Sequence, residues 1–307
     1  MVYYLFKAVI GSGLKIEISA SEYDEIAAAW HSLGPVVDIE EEWDSLIQNY
    51  IEFEMELLKA ATNSMILSHN SYHDFHQHRL GFARRLSNPL QTCRSYIDHA
   101  PHHLGQLNSC DFSSTFNELR NKAHADHFGY RFMDAMRNYA QHRGVPLHSS
   151  TWNSDWISDA DERKNRLRYV VTANVDLGKV RHDRKFKASV RAEIEGVDRL
   201  DVGTMTREYI EALGWVHSEL RKAMEGAIAG WKKAIRDAIA RYAAATSGGV
   251  IGLAAGEFAD DGELVNQMSI FEDMLDRHER LTRRNGNLVN LRRRFVSNEL
   301  LAKKSKQ

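Results

Sequence analysis

The spacing of apolar residues along the chain predicts a protein that is mostly helical. Apolar side chains recur every three or four positions between Trp43 and Met65, and again between Tyr209 and Tyr242. This spacing places them on one face of a helix, which is typical of helices that pack on a core. The second stretch predicts an uninterrupted helix over residues 206–246, about 60 Å long at 1.5 Å per residue.

Proline and glycine residues indicate where helices should end, because proline lacks an amide donor and glycine favours helix termini. We expect a short helix over 22–33 that Gly34 and Pro35 end, and a long one from Asp38 to about Arg85. Further breaks are expected at Asn88-Pro89, Pro101 and Gly144, which delimit a predicted helix over 90–99. Residues 116–127 and 130–143 are predicted as one helix or as two that meet at Gly129, and a last helix is predicted over 264–300.

Two segments rich in β-forming residues predict small β-hairpins. The first joins residues 2–10 to 14–18, and the second joins 167–175 to 186–194. Residues 149–163, just before the second hairpin, are expected to be irregular. The predicted fold class is therefore mostly α, a helical bundle with long C-terminal helices and two small β-hairpin additions.

Composition excludes several classes of protein. The chain has 307 residues, 40 Lys and Arg against 42 Asp and Glu, a formal net charge of −2, and 43% hydrophobic residues. It is too apolar for a disordered chain, and no apolar run approaches the roughly 20 residues of a transmembrane helix. Its two cysteines, Cys93 and Cys110, cannot build a disulfide framework or a paired-cysteine zinc site. We therefore expect a cytoplasmic protein with no membrane partner.

Histidine is unusually frequent, with 15 residues in the chain. His69, His73 and His76 lie at positions i, i+4 and i+7, so that one helix face could present all three to a metal ion. No carboxylate or cysteine is placed to complete a specific metal motif. We therefore expect these histidines to lie on a solvated or packed helix face, and a metal site remains an alternative.

The most specific local pattern is an arginine, an asparagine, three further residues and a histidine: Arg137, Asn138 and His142. Arginine and histidine have this separation at three places in the chain, but only here does a polar Asn, Asp or His follow the arginine. Five residues of helix rotate the two side chains roughly 140° apart and separate them by about 7.5 Å along the axis. A simple bond within one helix therefore does not explain the pairing.

This motif resembles the Arg-[Asn/Asp/His]-x-x-x-His motif of the HEPN superfamily (higher eukaryotes and prokaryotes nucleotide-binding), whose members are α-helical. The resemblance implies a metal-independent endoribonuclease without a cofactor, acting on RNA. It also implies a homodimer in which two motifs form a composite site. Many members belong to toxin–antitoxin or phage-defence systems, so an antitoxin or a defence-system partner is also expected.

The residue types of the motif suit RNA cleavage by the neighbouring 2′-hydroxyl. His142 can transfer protons near neutral pH. Arg137 can hold the scissile phosphate through two hydrogen bonds and stabilise its developing charge. Asn138 could orient the phosphate. Weaker expectations for RNA contact fall on nearby basic residues and on a basic turn: Arg143, Arg120, Lys179, Arg181 and Arg184.

The resemblance covers a predicted helical domain over 37–148. An N-terminal hairpin with a short helix precedes it over 1–36, a loop and hairpin follow over 149–205, and a long-helix region over 206–307 packs on the bundle or on a dimer partner. Two alternatives to a ribonuclease stay open. One is a non-catalytic HEPN-like protein that binds RNA or protein, and the other is a metal-binding protein built on His69, His73 and His76.

Overall fold

A capping box begins the longest helix of the protein. The computed structural model describes residues 1–9, 13–67, 72–107, 111–144, 147–157, 166–184, 186–246, 249–286 and 288–296. At the start of the helix, the Ser19 side chain accepts a hydrogen bond from the Glu22 amide. The Glu22 carboxylate accepts one from the Ser19 amide. The helix that follows, α1, spans Ala20–Ile66. It passes through Gly34 and Pro35, so the predicted helix end there, and the predicted start at Asp38, are wrong.

Packing explains why proline does not end the helices. An interior proline costs a helix about 3 kcal/mol, but Pro35 and its neighbours Leu33 and Val36 are all buried in the core. The second helix, α2, spans Tyr72–Leu104 and likewise contains Pro89 and Pro101. The breaks expected at Asn88-Pro89 and Pro101 are therefore wrong, as is a single helix from Asp38 to Arg85.

Six further helices follow in the described part of the chain, and the second of them carries the candidate motif. They are α3 (Phe112–Asp126), α4 (Phe128–Arg143), α5 (Leu177–Arg181), α6 (Ala188–Glu193), α7 (Val202–Ala245) and α8 (Asp273–Arg284), followed by a 3₁₀ turn at Leu291–Arg293. The prediction of one long helix over 206–246 is confirmed by α7. The last predicted helix, over 264–300, is wrong: the described part of this range begins with a strand over 264–269, and α8 and the 3₁₀ turn follow.

Two small antiparallel sheets accompany the helices, so the mostly α class is confirmed. The first contains β1 (Val2–Lys7), β2 (Lys15–Ile18), β6 (Leu253–Phe258) and β7 (Leu264–Ser269), in the order β2-β1-β6-β7. The second contains β3 (Ser149–Ile157), β4 (Arg166–Asp176) and β5 (Arg199–Asp201), in the order β3-β4-β5.

The observed sheets differ from the two predicted hairpins in their strands. The N-terminal hairpin forms, but β6 and β7 extend it into a four-stranded sheet. Residues 149–157, expected to be irregular, form the strand that pairs with β4. Residues 188–193, expected to be a strand, form α6, whose Val190 is fully buried.

Two apolar cores hold these elements together, and α1 and α7 run through both. The larger core lies among α1, α2, α3, α4, α7 and β4. The smaller core joins the first sheet to the start of α1, the end of α7 and α8. The predicted domain boundaries at 36/37 and 205/206 thus fall inside α1 and α7, where helices continue across them.

A buried polar network links the long helices inside the larger core. Glu40 of α1 is 1% exposed, and Arg221 of α7 donates to both of its carboxylate oxygens, with Nε 2.8 Å from Oε1. His217 of α7, 2% exposed, has its Nε2 3.4 Å from Glu40 Oε2. Its Nδ1 lies 2.9 Å from the hydroxyl of Tyr96 on α2, and its ring stacks on Trp43 at 4.5 Å.

Electrostatics inside the network follows from burial and charge. Burial alone raises the pKa of Glu40, but hydrogen bonds and charge from Arg221 and His217 hold it well below its ordinary value. Burial lowers the pKa of His217, and the Glu40 carboxylate only partly opposes this. Arg221 also donates to the carbonyl of Asn285 at 2.9 Å, so that the segment after α8 is held by the same guanidinium.

Replacing Glu40 by Gln should destabilise the protein by about 3 kcal/mol, because Arg221 would lose its anionic partner in a largely dry site. Denaturant unfolding followed by circular dichroism measures this. The matched control is Asp98→Asn, which removes the surface partner of Arg94 and should cost less than about 0.5 kcal/mol. Equal losses in the two variants would contradict a special role for the buried pair.

Stability should fall as the pH drops from about 7.5 to 5. Burial lowers the pKa of His217 below its usual 6.5, so the unfolded chain binds a proton in this range that the folded chain does not. The buried or half-buried His124, His148 and His278 act in the same direction. Unfolding free energies measured across this range should show a shallower slope in His217→Gln, by up to about 1.4 kcal/mol per pH unit. An unchanged slope would show that His217 does not contribute.

Candidate functional site

Helix α4 presents the predicted motif on a rigid base. One face of α4 is buried against α7, and it carries Tyr130, Phe132, Met133, Ala135 and Met136. The opposite side carries Asn138, Gln141 and His142, which are exposed, and Arg137, which is half-buried. Because the buried face fixes the helix, the motif residues have a defined position at its C-terminal end.

Residues 112–143 form two helices, α3 and α4, that meet at His127. α3 ends at Asp126 and α4 begins at Phe128, so the predicted break lies at His127, not at Gly129. Gly129 instead lies in the first turn of α4, where a Cβ atom would be 2.6 Å from the Cβ of Glu208 on α7. Glycine is needed here for the close approach of α4 to α7.

Arg137 is held by its own helix. Its Nη1 donates to Asn138 Oδ1 at 3.2 Å and to Gln141 Oε1 at 2.9 Å. Its Nε is buried and has no hydrogen-bond partner among the described residues. The motif analysis missed Gln141, although its spacing of four residues from Arg137 is the signal that would find it. The guanidinium is thus oriented beside Asn138 and Gln141 through Nη1, and its Nε donor is uncommitted in the part of the chain that the structure describes.

His142 and Arg143 are the last two residues of α4, where the partial negative charge of the helix end favours cations. His142 is exposed and forms no hydrogen bond or ion pair with another described residue. Arg143 Nε lies 3.3 Å from Asp183 Oδ2. Tyr139 also packs against Phe186, at a ring distance of 5.9 Å. The segment after α5 therefore holds the end of the motif helix.

The other predicted RNA contacts differ in what binds them. Arg181 is a structural residue, because its Nη2 donates to the carbonyls of Ile194 at 3.0 Å and of Val197 at 2.6 Å. Lys179 Nζ lies 3.9 Å from Asp176, in an exposed pair.

Arg120 and Arg184 lie apart from the motif in the sequence and are more weakly held. Arg120 Nη2 donates to Asn121 at 3.4 Å, and Arg184 is exposed. Within the described part of the chain, Arg181 is the one residue of the five expected to contact RNA whose side chain is engaged by backbone carbonyls.

One basic residue, Arg79, was missed by the sequence analysis, and its charge acts on His148 together with that of the predicted Lys179. Arg79 of α2 donates to the carbonyl of Leu147 at 3.0 Å. Leu147 is three residues past Gly144, within about 11 Å of the end of α4 by chain length alone. His148 has its pKa lowered by burial and by the nearby charges of Lys179 and Arg79. Arg79 of α2 and Lys179 of α5 therefore bring positive charge close to His148, which is six residues after His142 in the chain.

The alternative metal site finds little support in the part of the chain that can be assessed. His69 lies outside the described residues, and His73 is exposed. His76 Nδ1 lies 3.2 Å from Arg79 Nη2, so this ring nitrogen faces a cation. Among the described residues, no group of three His, Cys, Asp or Glu side chains is placed to hold a metal ion.

Comparisons with known proteins do not assign the chain to a family. No family model, no curated protein and no solved structure matches the chain. Within the described ranges, none of the helices combines the length and the apolar character required to cross a membrane. The resemblance to HEPN proteins therefore depends on the motif and its surroundings.

Gly144 ends the motif helix in a conformation that favours glycine, with φ 81° and ψ 165°. Replacing it by Ala should cost about 1–3 kcal/mol, because this region is almost restricted to glycine. The control is Gly226→Ala, in the exposed interior of α7 with open space around it, which should stabilise by about 0.5–1 kcal/mol. Thermal unfolding of both variants measures the two effects, and a stabilising Gly144→Ala would contradict the described helix end.

Proposed function

We propose that the protein is a metal-independent endoribonuclease of HEPN type, with Arg137, Asn138 and His142 as its catalytic residues. The observation that carries the proposal is the position of this motif. It lies at the end of a firmly packed helix, with His142 and Asn138 exposed and Arg137 oriented beside Asn138 and Gln141. RNA is the substrate class, and no cofactor takes part.

The chemistry needs two proton transfers and one stabilised anion. The 2′-hydroxyl of the RNA loses a proton and attacks the adjacent phosphorus, and the bond from phosphorus to the 5′-oxygen breaks. His142 serves in proton transfer, taking the hydroxyl proton or supplying one to the leaving oxygen. Arg137 stabilises the negative charge on the phosphate. The products carry a 2′,3′-cyclic phosphate and a 5′-hydroxyl.

RNA binding adjacent to the motif would use the cationic side chains of Arg79 and Lys179. Arg79 belongs to α2 and Lys179 to α5, and the charges of both act on His148, which is six residues after His142 in the chain. Lysine and arginine side chains there can contact phosphates on either side of the scissile bond. A second copy of the chain would complete the site, because the two motif side chains point in different directions from one helix.

Replacing His142 by Ala should reduce RNA cleavage by about 10²–10⁴-fold, because a proton-transfer group is lost from an exposed position where folding is unaffected. Cleavage of a labelled RNA by purified protein, with end-group analysis of the products, measures this. The control is His102→Ala, an exposed histidine in the last turn of α2, about 35 Å along that helix from Arg79. This variant should cleave like the wild type.

The other outcomes distinguish the alternatives. Undiminished cleavage by His142→Ala would overturn the assignment of the site. Cleavage that a chelator abolishes would favour a metal-dependent enzyme. RNA or protein binding without any cleavage by the wild type would indicate a non-catalytic member of the same fold.

A further inference from the structure

The second half of α1 is apolar on two opposite sides. One side packs in the larger core through Phe53, Leu57 and Ala60, which are all buried. The other side exposes large apolar side chains, with Met55 62% and Leu58 49% exposed. A helix that is apolar on both sides is normally covered on both. The exposed residues of this stripe, which we call the α1 seam, are Ile51, Met55, Leu58, Thr62 and Met65.

The spacing of the α1 seam is that of a coiled coil. Its members follow one another by four, three, four and three residues, which averages 3.5 and keeps a stripe facing a partner helix. Thr62, the polar member, donates its hydroxyl to the Leu58 carbonyl at 3.0 Å, so it does not present an unpaired donor at the seam. The stripe is about 21 Å long at 1.5 Å per residue, long enough for two heptads.

We propose that the α1 seam binds the same seam of a second copy of this chain, with the two helices antiparallel. About a two-fold axis near residues 56 and 57, Met55 packs against the partner's Leu58, and Ile51 against the partner's Thr62. The same register brings Glu52 next to the partner's Lys59, twice. Both are exposed, and they flank the seam on the same side.

Charge favours the antiparallel arrangement over a parallel one. A parallel pair would need Glu54 to meet the partner's Lys59. Arg207 already binds Glu54 through two hydrogen bonds of 2.7 and 2.6 Å, and the Tyr50 hydroxyl donates a third at 2.8 Å. Glu52 is bonded at the surface to Arg85 alone among the described residues, so it can accept a further cation.

The seam lies one helix away from the candidate site. Arg85 of α2 contacts Glu52 beside the seam, and Arg79, about 9 Å further along the same helix, contacts the chain just after α4. The inference rests on the proposed function only for the need for a second copy. The surface itself is argued from spacing, exposure and charge.

The test measures the mass of the full-length protein in solution, by light scattering or sedimentation at high micromolar concentration. The wild type should be a dimer, and Leu58→Glu or Met55→Glu should weaken the dimer by more than about tenfold. Ile251→Glu, at a turn residue that is 88% exposed, is the matched control and should remain dimeric. Melting temperatures near that of the wild type would show that the variants are folded.

A wild type that is monomeric, or a dimer that Leu58→Glu leaves intact, would overturn the proposal. In the first case a different partner covers the seam. A wild type that dimerises through the seam but does not cleave RNA would support the interface and contradict the proposed activity. A monomer that cleaves RNA would support the activity and contradict the interface, so the two proposals can fail separately.

Disulfide trapping tests the antiparallel register. In a background with Cys110→Ser, an oxidised mixture of Met55→Cys and Leu58→Cys chains should form a disulfide-linked dimer faster than either variant alone, because residue 55 faces the partner's residue 58. Cross-linking by each variant alone, as fast as by the mixture, would contradict the antiparallel register.

Discussion

The ion pair between Glu40 and Arg221 is the contact on which the arrangement of the long helices depends. It joins α1 to α7 in the middle of both, and its partners reach α2 through Tyr96 and the end of α8 through Asn285. A buried pair contributes little net stability compared with apolar side chains, but it tolerates few alternative alignments of the helices that carry it. The network therefore specifies the register of α1 on α7, and the apolar cores then fill around it.

The position of the motif helix α4 is set by its packing on α7. α4 packs on α7 so closely that Gly129 has no room for a side chain, and its far end is tied to Asp183 through Arg143. At that end, the Gln141 side chain accepts a hydrogen bond from Arg137 one turn earlier and so restricts the conformations of the guanidinium. A site built on such a helix is preorganised, so substrate binding would not have to arrange the arginine.

Local sequence patterns predicted those features that local forces determine. The long apolar stripe of α7 and the helix end at Gly144 could be located from spacing and turn chemistry, and the motif could be found because its residues are close in sequence. Pro35 and Pro89 were misjudged because packing outweighs their local cost. The strand β6, Leu-Ala-Ala-Gly-Glu-Phe, has no β-branched residue and forms because β1 pairs with it. Arg79 could not be assigned from the sequence, since only the fold brings it near His148 and Lys179.

The first sheet has a consequence for the order in which the chain can fold. Strand β1 pairs with β6, more than 240 residues later, and its other neighbour among the described strands is β2. During synthesis the first strands leave the ribosome long before their partner exists, and contacts of such long sequence separation form slowly. The smaller core therefore closes last, after the helices of the larger core have emerged, and a nascent chain ending before β6 leaves one edge of β1 unpaired.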